Sequence, residues 1–139
     1  MNLYEKNLTQ LKLKFPEVYK WILKEEEDRG VEVIRTQSGL NNLRVKGLTG
    51  KSTYLYSMDD PLREEREVCQ DLKFSADQVT FLIGIGLGYT VDAIKEEMEK
   101  GHKIVVFEKS AAILKIALGQ TDFSSLSAKT MCARPTAKD

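Results

Sequence analysis

Two short runs, 79–83 and 103–107, are apolar at nearly every position, and a segment of helical length joins them. Strands of this composition are typical of a parallel sheet that is buried on both faces. The joining segment places Val91, Ile94 and Met98 at helical spacing. A strand, a helix and a second strand in this order predict a right-handed βαβ crossover, which restricts the chain to the α/β class.

The segments around this unit predict further elements. Residues 31–57 are rich in β-branched and aromatic side chains and are interrupted by turn-forming residues, which indicates a small antiparallel meander. Asp60 is placed as an N-cap and Pro61 as the first residue of a helix over 61–72. Another helix is expected after Ser110. The predicted fold is therefore a Rossmann-like βαβ unit with an antiparallel meander and an N-terminal helical arm.

We divide the chain into a helical arm (1–28), a Rossmann-like α/β domain (29–126) and a tail (127–139) that we predict to be disordered. In the arm, an apolar stripe at helical spacing offers a surface for a homo-oligomer; it contains Leu8, Leu11, Ile22 and Leu23. The four acidic residues at 25–28 are interpreted as a solvated helix end, because the helix dipole disfavours negative charge there.

Charge and composition exclude several classes of function. The 139 residues carry 21 basic and 21 acidic side chains, so no long-range field attracts nucleic acid or an anionic membrane. No window approaches the ~18 apolar residues of a membrane span, and no leader is visible, so we predict a cytoplasmic location. Cys69 and Cys132 lack metal-ligand spacing, and we expect the single histidine, His102, to be solvated; no metal is predicted.

The segment "GLTGKS", 47–52, ends like a phosphate-binding P-loop. That motif requires a glycine where Val45 stands, and a helix after the Lys-Ser pair, where this sequence predicts a strand. We therefore interpret Gly47 and Gly50 as turn glycines.

A second glycine-rich segment lies between the first apolar run and the helix. Gly84, Gly86 and Gly88 permit a tight turn, and the helix N-terminus offers N–H groups to an anion. Glu108 ends the next strand, where a carboxylate can accept hydrogen bonds from ribose hydroxyls. Tyr89 stands where the dinucleotide pattern has its third glycine, which disfavours NAD. These five residues are the candidate ligand site; the alternative is a tight turn that binds nothing.

The glycine spacing is closer to the S-adenosylmethionine loop of methyltransferases, although Leu82 stands where that loop has an acidic residue. A nucleotide-sugar is the other ligand considered. Arg63 and Arg66, about one helical turn apart, could clamp a phosphate, or Arg63 could pair with Glu67 on the surface. No Ser-His-Asp, Cys-His or paired-carboxylate arrangement is visible, so no catalytic residue is predicted.

Three segments in order, 55–67, 81–94 and 104–118, resemble the N-terminal domain of the motility accessory factor (Maf) family. The resemblance covers roughly residues 30–126, and Asp59 departs from the family pattern. It implies a protein linked to bacterial flagellin glycosylation, in which a nonulosonic acid passes from its cytidine nucleotide to Ser or Thr hydroxyls. In that family the transferase activity belongs to a following domain, so we expect this chain to be an isolated N-terminal domain or a truncated product.

The resemblance also assigns roles to residues. Tyr56, Asp60, Pro61, Arg63 and Glu64 match the family and are predicted to form a structural or contact motif, with Arg63 and Glu64 in a polar network that holds their helix against the glycine turn. The implied partners are the following catalytic domain and flagellin. No catalytic residue and no cofactor is carried over.

Overall fold

The computed structural model describes residues 1–24 and 30–123, and the backbone of 130–133. The chain has an α/β fold with five helices and six strands in this part. In chain order these are α1 (Leu3–Lys14), α2 (Pro16–Lys24), β1 (Val31–Arg35), β2 (Asn41–Lys46), β3 (Ser52–Tyr54), α3 (Pro61–Gln70), β4 (Val79–Ile83), α4 (Tyr89–Glu97), β5 (Lys103–Phe107), α5 (Ala111–Leu118) and β6 (Thr130–Ala133).

The Rossmann-like unit contains a parallel sheet with the strand order β4-β5-β6. Both crossovers advance across the sheet in the same direction, so right-handed connections place α4 and α5 on one face. We predicted a disordered tail, but residues 130–133 form strand β6, whose backbone pairs with β5. Backbone pairing does not depend on an apolar period in the sequence, so the sequence pattern did not indicate this strand. The acidic run 25–28 and the rest of the tail lie outside the described residues.

The inner face of the parallel sheet carries the main core. Ile104 and Val106 of β5 are almost fully buried in one cluster with residues of α1, α2, α4 and α5. The arm therefore packs on this face: Leu11 and Ile22, which the sequence offered to a second copy, are buried within the chain itself. Of the predicted stripe, Leu23 is exposed.

The outer face of the same sheet is uncovered in the part of the chain that the structure describes. We define it by one side of β4 and β5, namely Val79, Phe81, Ile83, Val105 and Phe107. Phe81 is 64% exposed and Ile83 is 87% exposed, and the rings of Phe81 and Phe107 stack with their centroids 6.2 Å apart. The prediction that both faces are buried is thus correct for the inner face alone.

The predicted meander is an antiparallel sheet of order β1-β2-β3. The turn between β2 and β3 contains Gly50 at φ +83°, and the "GKS" segment leads into β3. A strand in this place confirms that the segment is not a P-loop. A second apolar cluster joins the meander to the glycine loop through Leu43, Leu87 and Tyr89.

Two local predictions have opposite outcomes. Asp60 caps α3 as predicted, since its Oδ1 accepts a hydrogen bond of 3.1 Å from Arg63 N. The prediction that His102 is solvated is wrong: the ring is 2% exposed. Its Nδ1 donates to Ser75 O over 2.7 Å and its Nε2 lies 2.7 Å from Thr80 Oγ1. A polar residue in a turn is buried here because both ring nitrogens find partners.

Candidate functional site at the glycine loop

The glycine loop, residues 84–88, lies at the carboxyl end of β4 and at the N-terminus of α4. Ligands of open α/β sheets bind at this edge. Gly84, Gly86 and Gly88 have φ values of +91°, +55° and +89°, which side chains with a Cβ rarely adopt. The backbone conformation alone thus explains why the loop has three glycines.

Tyr56 lies directly against Gly86, and a Cβ at Gly86 would overlap its hydroxyl. The Tyr56 hydroxyl accepts a hydrogen bond of 2.9 Å from Leu87 N, and the ring makes an edge-on contact with Tyr89, with centroids 5.0 Å apart. Burial raises the pKa of Tyr56 to about 12. The tyrosine that the family resemblance singled out is therefore a partner of the loop.

Thr121 fills the corresponding space at Gly88. Its Oγ1 donates a hydrogen bond of 2.7 Å to Leu87 O, and a Cβ at Gly88 would overlap its side chain. Thr121 is buried, although it follows α5 and is 33 positions from Gly88. Sequence reasoning missed this contact, since no local pattern indicates it.

Glu108, the predicted ribose ligand, is buried, with 5% of its surface exposed. Its Oε1 accepts a hydrogen bond of 3.0 Å from Ile85 N, and its Oε2 accepts one of 2.9 Å from Ser110 N. The carboxylate thus connects the glycine loop to the start of α5. Glu108 therefore occupies the N–H group of Ile85, which in a nucleotide-binding loop would be available to a bound anion.

Tyr89, the other candidate ligand residue, points toward the meander. Its hydroxyl donates a hydrogen bond of 2.6 Å to Asn41 O, and the side chain is buried. Burial raises the pKa of its phenol. This geometry attaches the first residue of α4 to β2, so the ring packs within the chain.

The predicted contact motif at the start of α3 lies beside the loop, but Arg63 and Glu64 do not form the predicted polar network with it. Arg63 is exposed, and its guanidinium pairs with Asp59 at 3.0 Å and with Glu67 at 3.9 Å. Glu64 is exposed in the first turn of α3. The Arg63–Glu67 surface pair considered from the sequence is therefore present, and the predicted network through Arg63 and Glu64 is corrected.

The neighbouring residues on α3 make the connection to α4 instead. Thr90 Oγ1 donates a hydrogen bond of 3.1 Å to Glu65 Oε2. Arg66 donates to both carboxylate oxygens of Glu96, with its shortest bond at 2.8 Å. Glu65 and Arg66 follow the predicted Glu64 by one and two positions. They make these contacts because they lie on the face of α3 that packs against α4.

The site as a whole is filled by its own chain. The N–H groups of Ile85 and Leu87 donate to Glu108 and Tyr56, and Thr121 covers Gly88. Among the described residues, no group of three or more His, Cys, Asp or Glu side chains could hold a metal ion. Within the same residues, none of the helices has the length and apolar character needed to cross a membrane.

Comparison with known proteins gives a fold but no family. No protein-family model and no curated protein matches the chain. Among solved structures, the chain is similar to a MAf glycosyltransferase from Magnetospirillum magneticum AMB-1, with a TM-score of 0.67 and 13% identity; the match covers 97% of this chain and 27% of that one. The chain therefore has a Maf-like fold and spans about a quarter of that glycosyltransferase.

A second solved structure is similar at a much lower level. It is an Aeropyrum pernix fibrillarin in complex with S-adenosyl-L-methionine, with a TM-score of 0.35 and 14% identity over 81% of this chain and 54% of that one. A similarity of this size supports no conclusion about the fold or the ligand of the chain.

Proposed function

We propose that this chain is the non-catalytic N-terminal domain of a Maf-like protein linked to flagellin glycosylation, and that it acts in assembly or partner recognition. The observation that carries the proposal is the outer face of the parallel sheet. Phe81, Ile83 and Phe107 expose apolar surface there, and parallel sheets are normally covered on both faces. A domain with such a face is suited to packing against a partner.

The size of the outer face favours a partner domain over a second copy of the chain. Its exposed side chains offer on the order of 400 Å² of apolar surface, which is the size of a functional patch on a single domain. Two copies face to face would bury less than the roughly 1,200 Å² of a stable interface. The proposed occupant is the catalytic domain of the Maf-like protein.

The glycine loop supports a non-catalytic role. Glu108 and Tyr56 accept hydrogen bonds from the N–H groups of Ile85 and Leu87, so these groups are already used within the chain. The buried Glu108 carboxylate against the loop also repels an incoming phosphate. The nonulosonic acid transfer proposed for the whole protein would then take place on the partner domain, with flagellin as the acceptor.

The proposal is tested in cells that carry the native gene. The double variant Phe81→Glu and Ile83→Glu places two charges on the outer face without touching the core, so it should fold and lose its partner. The intact mass of flagellin should then fall by the mass of the glycan. Leu48→Glu is the matched control, because Leu48 is fully exposed in the turn between β2 and β3, outside the parallel sheet.

Two outcomes decide the test. Loss of glycan mass in the double variant, with full mass in Leu48→Glu and unchanged circular dichroism in both purified chains, supports the proposal. Full glycan mass in the double variant overturns it, as does flagellin that carries no glycan in the unmodified strain.

A second candidate function is a small nucleotide-binding domain that uses S-adenosylmethionine or a nucleotide-sugar. The position of the glycine loop between β4 and α4 favours it. Thermal unfolding with cytidine monophosphate, its nonulosonic acid conjugate, S-adenosylmethionine and NAD separates the two candidates. A ligand at ~100 times its Kd stabilises a fold by roughly 2.7 kcal/mol. A shift that Glu108→Ala abolishes in a folded chain would favour nucleotide binding.

A further inference from the structure

Strand β4 lies at an edge of the parallel sheet, and β5 is its one neighbouring strand in the described part of the chain. Two hydrogen bonds show which of its backbone groups face β5. Just before the strand, Gln78 O accepts a bond of 3.3 Å from Lys103 N. Just after it, Gly84 N donates one of 2.7 Å to Phe107 O. The even-numbered residues of β4 therefore direct their backbone N–H and C=O groups toward β5.

The odd-numbered residues Val79, Phe81 and Ile83 direct the same backbone groups away from β5. None of the residues that the structure describes forms a hydrogen bond with these groups. The three side chains are also exposed, on the outer face. A row of unpaired N–H and C=O groups is a template for a further strand. The same three residues thus present an open backbone edge and an open apolar face.

The β4 edge lacks the devices that protect free sheet edges. Native proteins protect such edges with charged side chains, proline, a bulge or a very short edge strand. The antiparallel sheet uses two of these devices, since β1 carries Glu32 and Arg35 and β3 has 3 residues. In contrast, β4 contains neither a charged residue nor proline, and its register with β5 is uninterrupted. This contrast within one chain favours an edge that pairs with another strand.

The topology indicates which kind of segment fits this edge. From β4 through β5 to β6 the chain advances in one direction, and right-handed connections place α4 and α5 on the inner face. A doubly wound sheet adds its second half, again in parallel, on the free side of the first strand. The right-handed crossover to such a strand runs on the opposite face of the sheet. One segment of a helix and a strand would therefore cover both the edge of β4 and the outer face.

We propose that the partner of this chain supplies a strand that pairs in parallel with β4 and a helix that packs on Phe81, Ile83 and Phe107. This inference rests on the proposed function, in which the catalytic domain covers the outer face, and adds the pairing of strands to it. The partner strand should be apolar at nearly every position, because it would be covered on both faces. The amides of Phe81 and Ile83 then donate to carbonyl groups of the partner.

Hydrogen exchange at single amides tests the pairing. The chain is measured purified alone, and again as the tagged product of the native gene, isolated from its cells with whatever is bound to it. In the second form the amides of Phe81 and Ile83 should exchange roughly a hundredfold more slowly. The amides of Thr80 and Leu82 face β5 and should exchange alike in both forms. Equal exchange of the Phe81 and Ile83 amides in the two forms would overturn the proposal.

A pair of variants separates the edge from the face. Phe81→Pro and Phe81→Ala both remove the ring, but proline also removes the N–H that points off the edge. Because this N–H makes no bond to β5, both variants should fold, as circular dichroism can verify. Phe81→Pro should abolish the protection of the Ile83 amide, and Phe81→Ala should retain most of it. Equal protection in the two variants would overturn strand pairing, and Val79→Pro with Val79→Ala gives the same comparison if Phe81→Pro fails to fold.

Failure of this inference is distinguishable from failure of the proposed function. Loss of glycan mass in the Phe81→Glu and Ile83→Glu double variant, with no protection of the Phe81 amide, would support contact at the outer face and overturn strand pairing. Exchange does not depend on a glycan, so flagellin without glycan in the unmodified strain overturns the proposed function while the exchange rates still decide the pairing.

Discussion

The two faces of the parallel sheet are built from alternate residues of the same strands, yet they differ sharply in burial. On the inner face Ile104 is 1% exposed, whereas on the outer face Ile83 is 87% exposed. Both faces are apolar, so side-chain composition does not explain the difference. The connections explain it: both crossovers run in one direction, and the described helices that pack on the sheet join the inner-face core. An apolar pattern shows what a strand can bury, whereas topology decides what covers it.

The largest effect should come from a matched pair of substitutions on the two faces. Ile104→Ala should lower the free energy of unfolding by about 2–5 kcal/mol, since it leaves a cavity in the core. Ile83→Ala removes the same atoms from an exposed position and should change that free energy by less than about 0.5 kcal/mol. Urea denaturation of both purified variants measures the difference. Equal losses would contradict the account of the two faces.

A second comparison separates backbone conformation from close packing in the glycine loop. Gly88 and Gly39 both have φ +89°, but a Cβ at Gly88 meets Thr121, whereas nothing lies within 4 Å of one at Gly39. Both Ala variants carry the cost of the left-handed conformation, roughly 1–2 kcal/mol. Gly88→Ala should cost about 1–3 kcal/mol more by thermal unfolding. Similar costs would show that the Thr121 contact is unimportant.

The pH dependence of stability tests the burial of Tyr56 beside the loop. Its pKa is raised to about 12 in the folded chain, from 10.0 for an ordinary tyrosine, so the fold favours the protonated phenol. This contribution is complete below pH 10 and is lost as the pH rises toward 12. Over that range the unmodified chain should lose on the order of 2 kcal/mol more stability than Tyr56→Phe. A pH profile of Tyr56→Phe identical to that of the unmodified chain would contradict this account.

The smallest effect is expected on the surface where α3 meets α4. The Arg66 and Glu96 side chains are 47% and 45% exposed, so their pair should contribute less than about 1 kcal/mol despite its two-pronged geometry. Arg66→Gln should therefore cost little, and the cost should shrink at high salt. Arg63→Gln should cost still less, because its partners Asp59 and Glu67 lie next to α3 or within it. A loss of several kcal/mol in Arg66→Gln would show that this pair is essential to the packing of α3.

The sequence predicted the elements whose signals are local. The apolar runs of β4 and β5, the Asp60 cap and the Ser110 start of α5 depend on neighbouring residues, and the structure confirms each. The similarity to a MAf glycosyltransferase structure supports the fold that the Maf resemblance implied. The functions that the Maf resemblance implied remain proposals.

The contacts that fill the site were not predictable, because they join residues distant in sequence. Asn7 binds the end of α5, Thr121 covers Gly88 and Tyr56 reaches Leu87. No spacing rule links such pairs. His102 was misjudged for the same reason, since its partners Ser75 and Thr80 lie more than 20 positions away. Glu108 was identified as important, yet a sequence does not reveal whether a carboxylate serves a ligand or its own backbone.

The central proposal is that the outer face, which the described residues leave uncovered, is covered by a partner in the cell. Cysteine labelling tests it directly, with Ile83→Cys and Leu48→Cys made separately in a background in which Cys69 and Cys132 are replaced by serine. In the purified chain both cysteines should react rapidly with a maleimide. In cells that carry the native gene, we predict that Ile83→Cys is protected and that Leu48→Cys still reacts. Equal reaction at the two positions in cells would contradict the claim.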